Sequence, residues 1–375
     1  MAGTQDRAPT PRATAILEAA RSLFLARGYA GVSIDEIGGA LGMSGPAVYR
    51  HFRGKGALLD AIVREDVAAL EAVAARDAPA EAVDALVALA LEGGRIAGVL
   101  GNDLRHLPEP DRTALRDRVD GSVARLGRAL GADERSSRLR ARPLIAVAGS
   151  TSSYAPALPP EPLQETLTRA MHAVVAFGPL APEDPRPPAA SIVRDWLPRD
   201  EAVLAALPDL LRTRGSLDAV TMEDLGAAAG LTGPSVYTYF TGKRDVALRA
   251  AERAMSWATA SLQQAMAFSS DGPDVMRRAL RDYVELTARV PIFAAPLDLG
   301  AGTFDEATRA RIEAFVGRYR EQWTTCARIA RPDLEPAAAE VLLWAAHAVV
   351  NSARIAVDGI ADDVLLDLAT SVFTA

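Results

Sequence analysis

A chain of 375 residues that is 49% apolar and 24% charged holds enough material for at least two domains with ample cores, which excludes a disordered polyelectrolyte. A net charge of −7 excludes a protein that coats nucleic acid over its whole surface, so any such contact has to come from a local patch. The single cysteine, Cys326, excludes an internal disulfide and a thiolate metal cluster, and reads as a small core residue in a reducing compartment.

Pro9-Thr10-Pro11 ends a polar tail, after which Ile16, Leu17, Ala20, Leu23 and Phe24 recur at helical spacing until Gly28, predicting one amphipathic helix with a glycine stop. Ser33 followed by Glu36 has the spacing of a capping box, so a short second helix starts there. Gly42 permits a tight turn, Ser44 is placed to cap a third helix, and Pro46 is tolerated in its first turn. Long Ala- and Leu-rich helical stretches follow, broken at Pro79, Pro108, Pro110 and Pro143. Residues 178–191 then form a proline-rich linker with a reach of roughly 40 Å at about 3.1 Å per residue.

After the linker the pattern starts again. Val203, Leu204, Leu207, Leu210 and Leu211 repeat the first helix, Thr221 is placed to cap the second, Gly230 makes the turn and Thr232 is placed to cap the third. Further helical stretches are broken at Pro273, Pro291, Pro296 and Pro332. The segment from Val32 to Lys55 matches that from Val220 to Lys243 without a gap, and Lys55 and Lys243, 188 positions apart, are the only two lysines in the chain. Gly28 matches Gly215 at an offset of 187, so one insertion falls in the loop before the second helix, where it costs little. A lysine kept at one register where every other strong cation is arginine suits a flexible point charge for a phosphate. With no alternating β-branched run, the chain reads as all-α.

Each repeat resembles the DNA-binding head of the TetR family of transcriptional repressors, through a capped helix, a glycine turn, a short helix ending in Tyr-x-x-Phe and a Gly-Lys opening the next helix. The resemblance implies two tandem units, each with a three-helix head and a helical ligand-binding body: 1–58 first head, 59–177 first body, 178–191 linker, 192–246 second head and 247–375 second body. It implies a DNA contact set of Ser33, Ser44, Gly45, Pro46, Ala47, Tyr49, His51 and Lys55 in the first head. The matching set in the second head is Thr221, Thr232, Gly233, Pro234, Ser235, Tyr237, Tyr239 and Lys243, with Val48, Phe52, Val236 and Phe240 turned into the cores. The heads differ in charge. Residues 1–55 carry seven cations against four carboxylates, a balance of +3, whereas residues 197–245 carry five against seven, a balance of −2. Arg50, His51 and Arg53 become Thr238, Tyr239 and Thr241, so the second head should release fewer counterions and bind DNA more weakly.

Family members pair through their last two helices, so residues 143–156 and 161–177 are expected to pack on 336–357 and 362–373 as an intramolecular four-helix bundle reading an asymmetric operator. A homodimer of tandem chains with four heads is the competing arrangement. The bodies are expected to hold a small-molecule effector of unspecified identity, with Arg95, Asn102, Arg105 and His106 as polar candidates in the first, and Trp257, Tyr283, Phe293, Trp323 and Trp344 as aromatic candidates in the second. No cofactor, metal or catalytic set is expected, since His51, His106, His172 and His347 form no ligand pattern and Gly149-Ser150-Thr151-Ser152 is not a nucleophile elbow. The N-terminus lacks the apolar run of a signal peptide and residues 337–357 are interrupted by Glu340, His347, Asn351 and Arg354, so a cytoplasmic repressor without membrane contact is expected. The alternative function is a ligand-sensing protein with a degenerate second head that sequesters a related regulator instead of binding DNA.

Overall fold

The computed structural model describes residues 10–29, 31–92, 104, 106–134, 136–153, 157–178, 180, 197–214, 217, 219–289, 305–355 and 360–375. Among these it has sixteen α-helices and no strand. The first unit comprises α1 (Pro11–Arg27), α2 (Ile34–Ala40), α3 (Gly45–Tyr49), α4 (Lys55–Ala74), α5 (Pro79–Leu91), α6 (Glu109–Ala129), α7 (Ser137–Ser153) and α8 (Pro160–Ala176). The second comprises α9 (Arg199–Arg214), α10 (Met222–Ala228), α11 (Gly233–Val236), α12 (Lys243–Phe268), α13 (Gly272–Arg289), α14 (Glu306–Ala330), α15 (Pro336–Ile355) and α16 (Asp362–Phe373). The expected linker lies almost wholly outside the described residues.

Local chemistry sets these boundaries. The Thr10 hydroxyl accepts from the Ala13 N–H, Pro11 opens α1, and Gly28 at φ +71° closes it. Both expected second-helix caps form full capping boxes, Ser33 with Glu36 and Thr221 with Asp224. Gly42 at φ +65° and Gly230 at φ +68° make the matching turns. Two expectations need correction. Ser44 and Thr232 occupy the N-cap positions of α3 and α11 but neither side chain bonds the helix backbone; the Thr232 hydroxyl pairs with that of Ser235 instead, at 2.7 Å. Pro143 does not break a helix but lies inside α7, as Pro208 lies inside α9. The lost N–H bond and ring clash cost about 3 kcal/mol, offset in α7 by burial of Leu144, Ile145, Val147 and Ala148 on the following turn.

The halves join through four helices: α7 packs on α15, α8 on both α15 and α16, and α15 on α16. These fall within the segments that the family resemblance led us to expect in an intramolecular bundle. One hydrophobic core runs from Ile16 in the first head through the first body and across this junction to Phe373. Ala141, Ala148, Ala339, Ala345 and Ala346 on α7 and α15 are all but inaccessible, and such small side chains let helices approach closely. The second head has a separate core of its own, from Ala202 to Ala250.

Candidate nucleic-acid interface

In each head the second and third helices are held together by glycines. A Cβ on Gly38 would come within 2.9 Å of the Met43 carbonyl, and one on Gly226 within 3.0 Å of the Leu231 carbonyl. Gly45 and Gly233 belong to the same contact. Both are buried; a Cβ on Gly45 would overlap the Asp35 carboxylate, and one on Gly233 would lie 3.3 Å from the Glu223 Cα. Their expected place among exposed base-reading positions is therefore corrected, because they bring the short helix against its neighbour. This packing glycine pair, with Gly38 and Gly226, was not singled out from the sequence, although the repeat of both positions carries the signal.

The remaining candidates lie on one exposed ridge. Ser33, Ser44, Pro46 and His51 are exposed and Ala47 is half-buried, while Tyr49 stands 56% exposed, which is unusual for an aromatic without a partner to cover. Arg50 and Arg53 are exposed beside it. The second head repeats the ridge with Thr221, Thr232 and Pro234 exposed, Ser235 half-buried, and Tyr237 and Tyr239 at 59% and 39% exposure. Val48, Val236 and Phe240 are buried as expected, and Phe52 is partly so.

Lys55 departs from the expected free point charge. Its Nζ donates to the carbonyls of Tyr29 at 2.8 Å and Val32 at 2.9 Å and sits 4.3 Å from the centre of the Tyr29 ring, so it anchors the loop between α1 and α2. Burial lowers its pKa. An ammonium has three donors, which leaves one for an outside acceptor. Lys243 makes the matching contact in the second head, donating to the Val220 carbonyl at 3.4 Å. Each capping-box acid is also clamped by an arginine from the preceding helix, Glu36 by Arg27 at 2.7 Å and Asp224 by Arg214 at 2.5 Å. The Ser33 backbone N–H, its hydroxyl and Arg27 hold the Glu36 carboxyl down at about 2.

The expected effector residues scatter. Arg95, Asn102, Arg105 and Phe293 lie outside the described residues. His106 is exposed and stacks on Tyr29, ring centres 4.8 Å apart, so it touches the first head instead of lining a pocket in the body. Trp257 is exposed under the Arg253 guanidinium. Tyr283 and Trp323 are core residues, with Tyr283 donating to Asn351 at 2.8 Å, and they enclose His347 together with Trp344. Cys326 is fully buried, as expected, and burial pushes its thiol up to about 11.

His347 is buried, bonded through Nδ1 to the Leu343 carbonyl at 3.0 Å, and desolvation pushes its pKa down to about 4. A base with a depressed folded pKa stays neutral when folded, so the unfolded chain takes up the proton first. Stability is therefore complete above about pH 6.5 and falls toward pH 4, by about 3 kcal/mol at the acid end. His347→Phe should lose that part of the acid dependence. Urea midpoints of both proteins at pH 7.5 and 4.5 test this, and parallel shifts would disprove it.

The profile described as "Bacterial regulatory proteins, tetR family" matches twice, over residues 16–62 and 204–250. Both heads are TetR-like. The TetR-like units thus stand in tandem in one all-α chain. Over 62 residues, 16% of this chain, the sequence is 42% identical to the HTH-type transcriptional repressor Rv1474c of Mycobacterium tuberculosis. The chain spans about a third (33%) of that repressor's length. Among solved structures, it is similar to AibR in complex with isovaleryl coenzyme A and operator DNA, at 22% identity over 42% of this chain and 96% of that one, with a TM-score of 0.34. It is similar too to the TetR-family regulator PfmR of Thermus thermophilus, at 24% identity over 47% of this chain and 97% of that one, with a TM-score of 0.34.

Proposed function

We propose that this chain is a ligand-responsive repressor in which one polypeptide acts as the dimer, presenting two unequal TetR-type heads to an asymmetric operator. The observation that carries the reading is the junction of α7 and α8 with α15 and α16, which joins the halves through one hydrophobic core. A pairing surface already filled within the chain leaves little reason for a second copy. Two heads of a helix-turn-helix dimer read half-sites about one DNA turn apart, roughly 34 Å. Because the ridges differ, with Arg50, His51 and Arg53 on one and Thr238, Tyr239 and Thr241 on the other, the half-sites they favour should differ.

Binding the purified chain to a genomic fragment library, footprinting the best site and weighing the complex by native mass spectrometry tests the reading. One chain on two unlike half-sites is the expected result. Two chains on a palindrome would overturn the pseudo-dimer and leave the second head without a DNA role. Absence of any salt-sensitive DNA binding would instead favour sequestration of a related regulator, the reading that the second head's acidity supports.

A further inference from the structure

The two bodies differ where a small molecule would have to enter. In the first unit α4 and α6 close on each other: α6 buries Leu115 in its second turn, and the pairs Arg64–Asp111 and Glu71–Arg118, each at 2.8 Å, tie the two helices along their length. In the second unit the corresponding helices, α12 and α14, pack less closely. No residue of α14 from Glu306 to Arg320 is buried; burial begins at Trp323. Between them lies a crevice of about 640 Å³. That volume falls within the ~300–1,000 Å³ range of small-molecule sites.

The repeat also thins the buried side of α12. Where α4 buries Leu59, Ile62, Val63 and Leu70, the register of the repeat places Ala247, Ala250, Ala251 and Ala258 on α12. The hydrophobic core that is continuous in the first unit accordingly breaks in the second, with Ala254 and Ala258 in a small cluster apart from both the head's core and the main one.

The chemistry of the crevice selects its occupant. Leu248 and Met255 of α12 face Ile312 and Phe315 of α14. Arg311 and Arg318 are seven positions apart, two helical turns or about 10 Å along one face, with Ile312 and Phe315 between them. Arg311 already pairs with Glu252 across the gap, whereas Arg318 has no ion-pair partner among the described residues. One unmatched cation beside an apolar strip of this length fits an extended molecule with a single negative charge at one end. Phe315 stacks on Tyr319, ring centres 5.8 Å apart, and Tyr319 meets Trp323 at 6.2 Å, so the crevice wall leads into the aromatic cluster around His347 on α15, the helix that joins the halves.

We infer that the second unit carries an effector site in the α12–α14 crevice, and that it takes a monoanionic amphiphile such as a medium-chain carboxylate. The inference rests on the ligand-responsive part of the proposed function and not on its DNA part. Isothermal titration of the full chain with decanoate, and with decan-1-ol as the uncharged match, tests it. One decanoate should bind per chain, at least about tenfold more tightly than the alcohol, the scale of one charge-assisted hydrogen bond. Arg318→Gln should weaken decanoate by about tenfold without affecting the alcohol, and Ala260→Trp, which fills the crevice from α12, should abolish both while the circular-dichroism melt stays native. Equal binding of acid and alcohol, or decanoate binding untouched by both variants, would overturn the inference, as would no binding to the native chain. Footprints on the same preparations keep the two readings apart: a chain that holds its operator but ignores decanoate refutes the crevice alone, and one that binds decanoate without a footprint refutes the DNA reading alone.

Discussion

Replacing Arg50 and Arg53 by threonine, the residues found at 238 and 241 in the second head, should lower the slope of log K against log salt for operator binding by about 2. Each phosphate contact that releases a counterion contributes about 0.9 to that slope. Both guanidinium groups are exposed next to Tyr49. Between 50 and 200 mM salt the parent should therefore lose about tenfold more affinity than the variant. The reverse change, Thr238→Arg with Thr241→Arg, should steepen the slope by a similar amount and strengthen the half-site read by the second head. Titrations at four salt concentrations on one operator fragment decide both. An unchanged slope in the first variant would mean that the arginines do not meet phosphates, and that the charge difference between the heads is not a difference in DNA contact.

The charge difference between the heads is legible in residue identity alone, because charge at an exposed position does not depend on packing. The same holds for the repeat, the capping box at Ser33 and the cap at Thr221, which follow from local spacing and the register of the duplication, whereas the assignment of the last two helices of each half to the junction came from the family resemblance. What was not legible depends on close approach between elements. Gly45 looked like an accommodating residue at a helix start, and only the nearness of Asp35 shows it to be a packing position. Lys55 looked like a free cation because the two carbonyls it holds, at Tyr29 and Val32, are far away in sequence. Pro143 looked like a boundary because a local rule cannot weigh the burial that holds α7 together. The aromatic residues of the second body were expected around a pocket, but Tyr283 and Trp323 fill core, and the open volume lies between α12 and α14, where closeness of two helices far apart in sequence decides it.

The largest stability effect is expected at a contact with no trace in the motif. Arg21 of α1 reaches across to α4, where it pairs with Asp66 and, at 3.2 Å, with Glu65; Arg21 and Asp66 are 8% and 1% exposed. Arg21→Met should cost about 3–5 kcal/mol, because it removes the cation that pairs with a buried carboxylate. The double variant Arg21→Met with Asp66→Leu should recover most of that loss, since two apolar side chains in the same space need no pairing. The second unit provides the contrast. The register of the repeat puts Pro208 and Ala254 at these positions, and the tie between α9 and α12 is the more exposed pair Arg253–Glu201. Arg253→Ala should therefore cost no more than about 1 kcal/mol. Because a two-unit chain need not unfold in one step, amide hydrogen exchange on α1 and α4, compared with α9 and α12, is the appropriate readout. If the double variant is as unstable as Arg21→Met, the loss comes from packing of the arginine stem and not from the stranded charge. If Arg253→Ala costs as much as Arg21→Met, burial is not what separates the two ties.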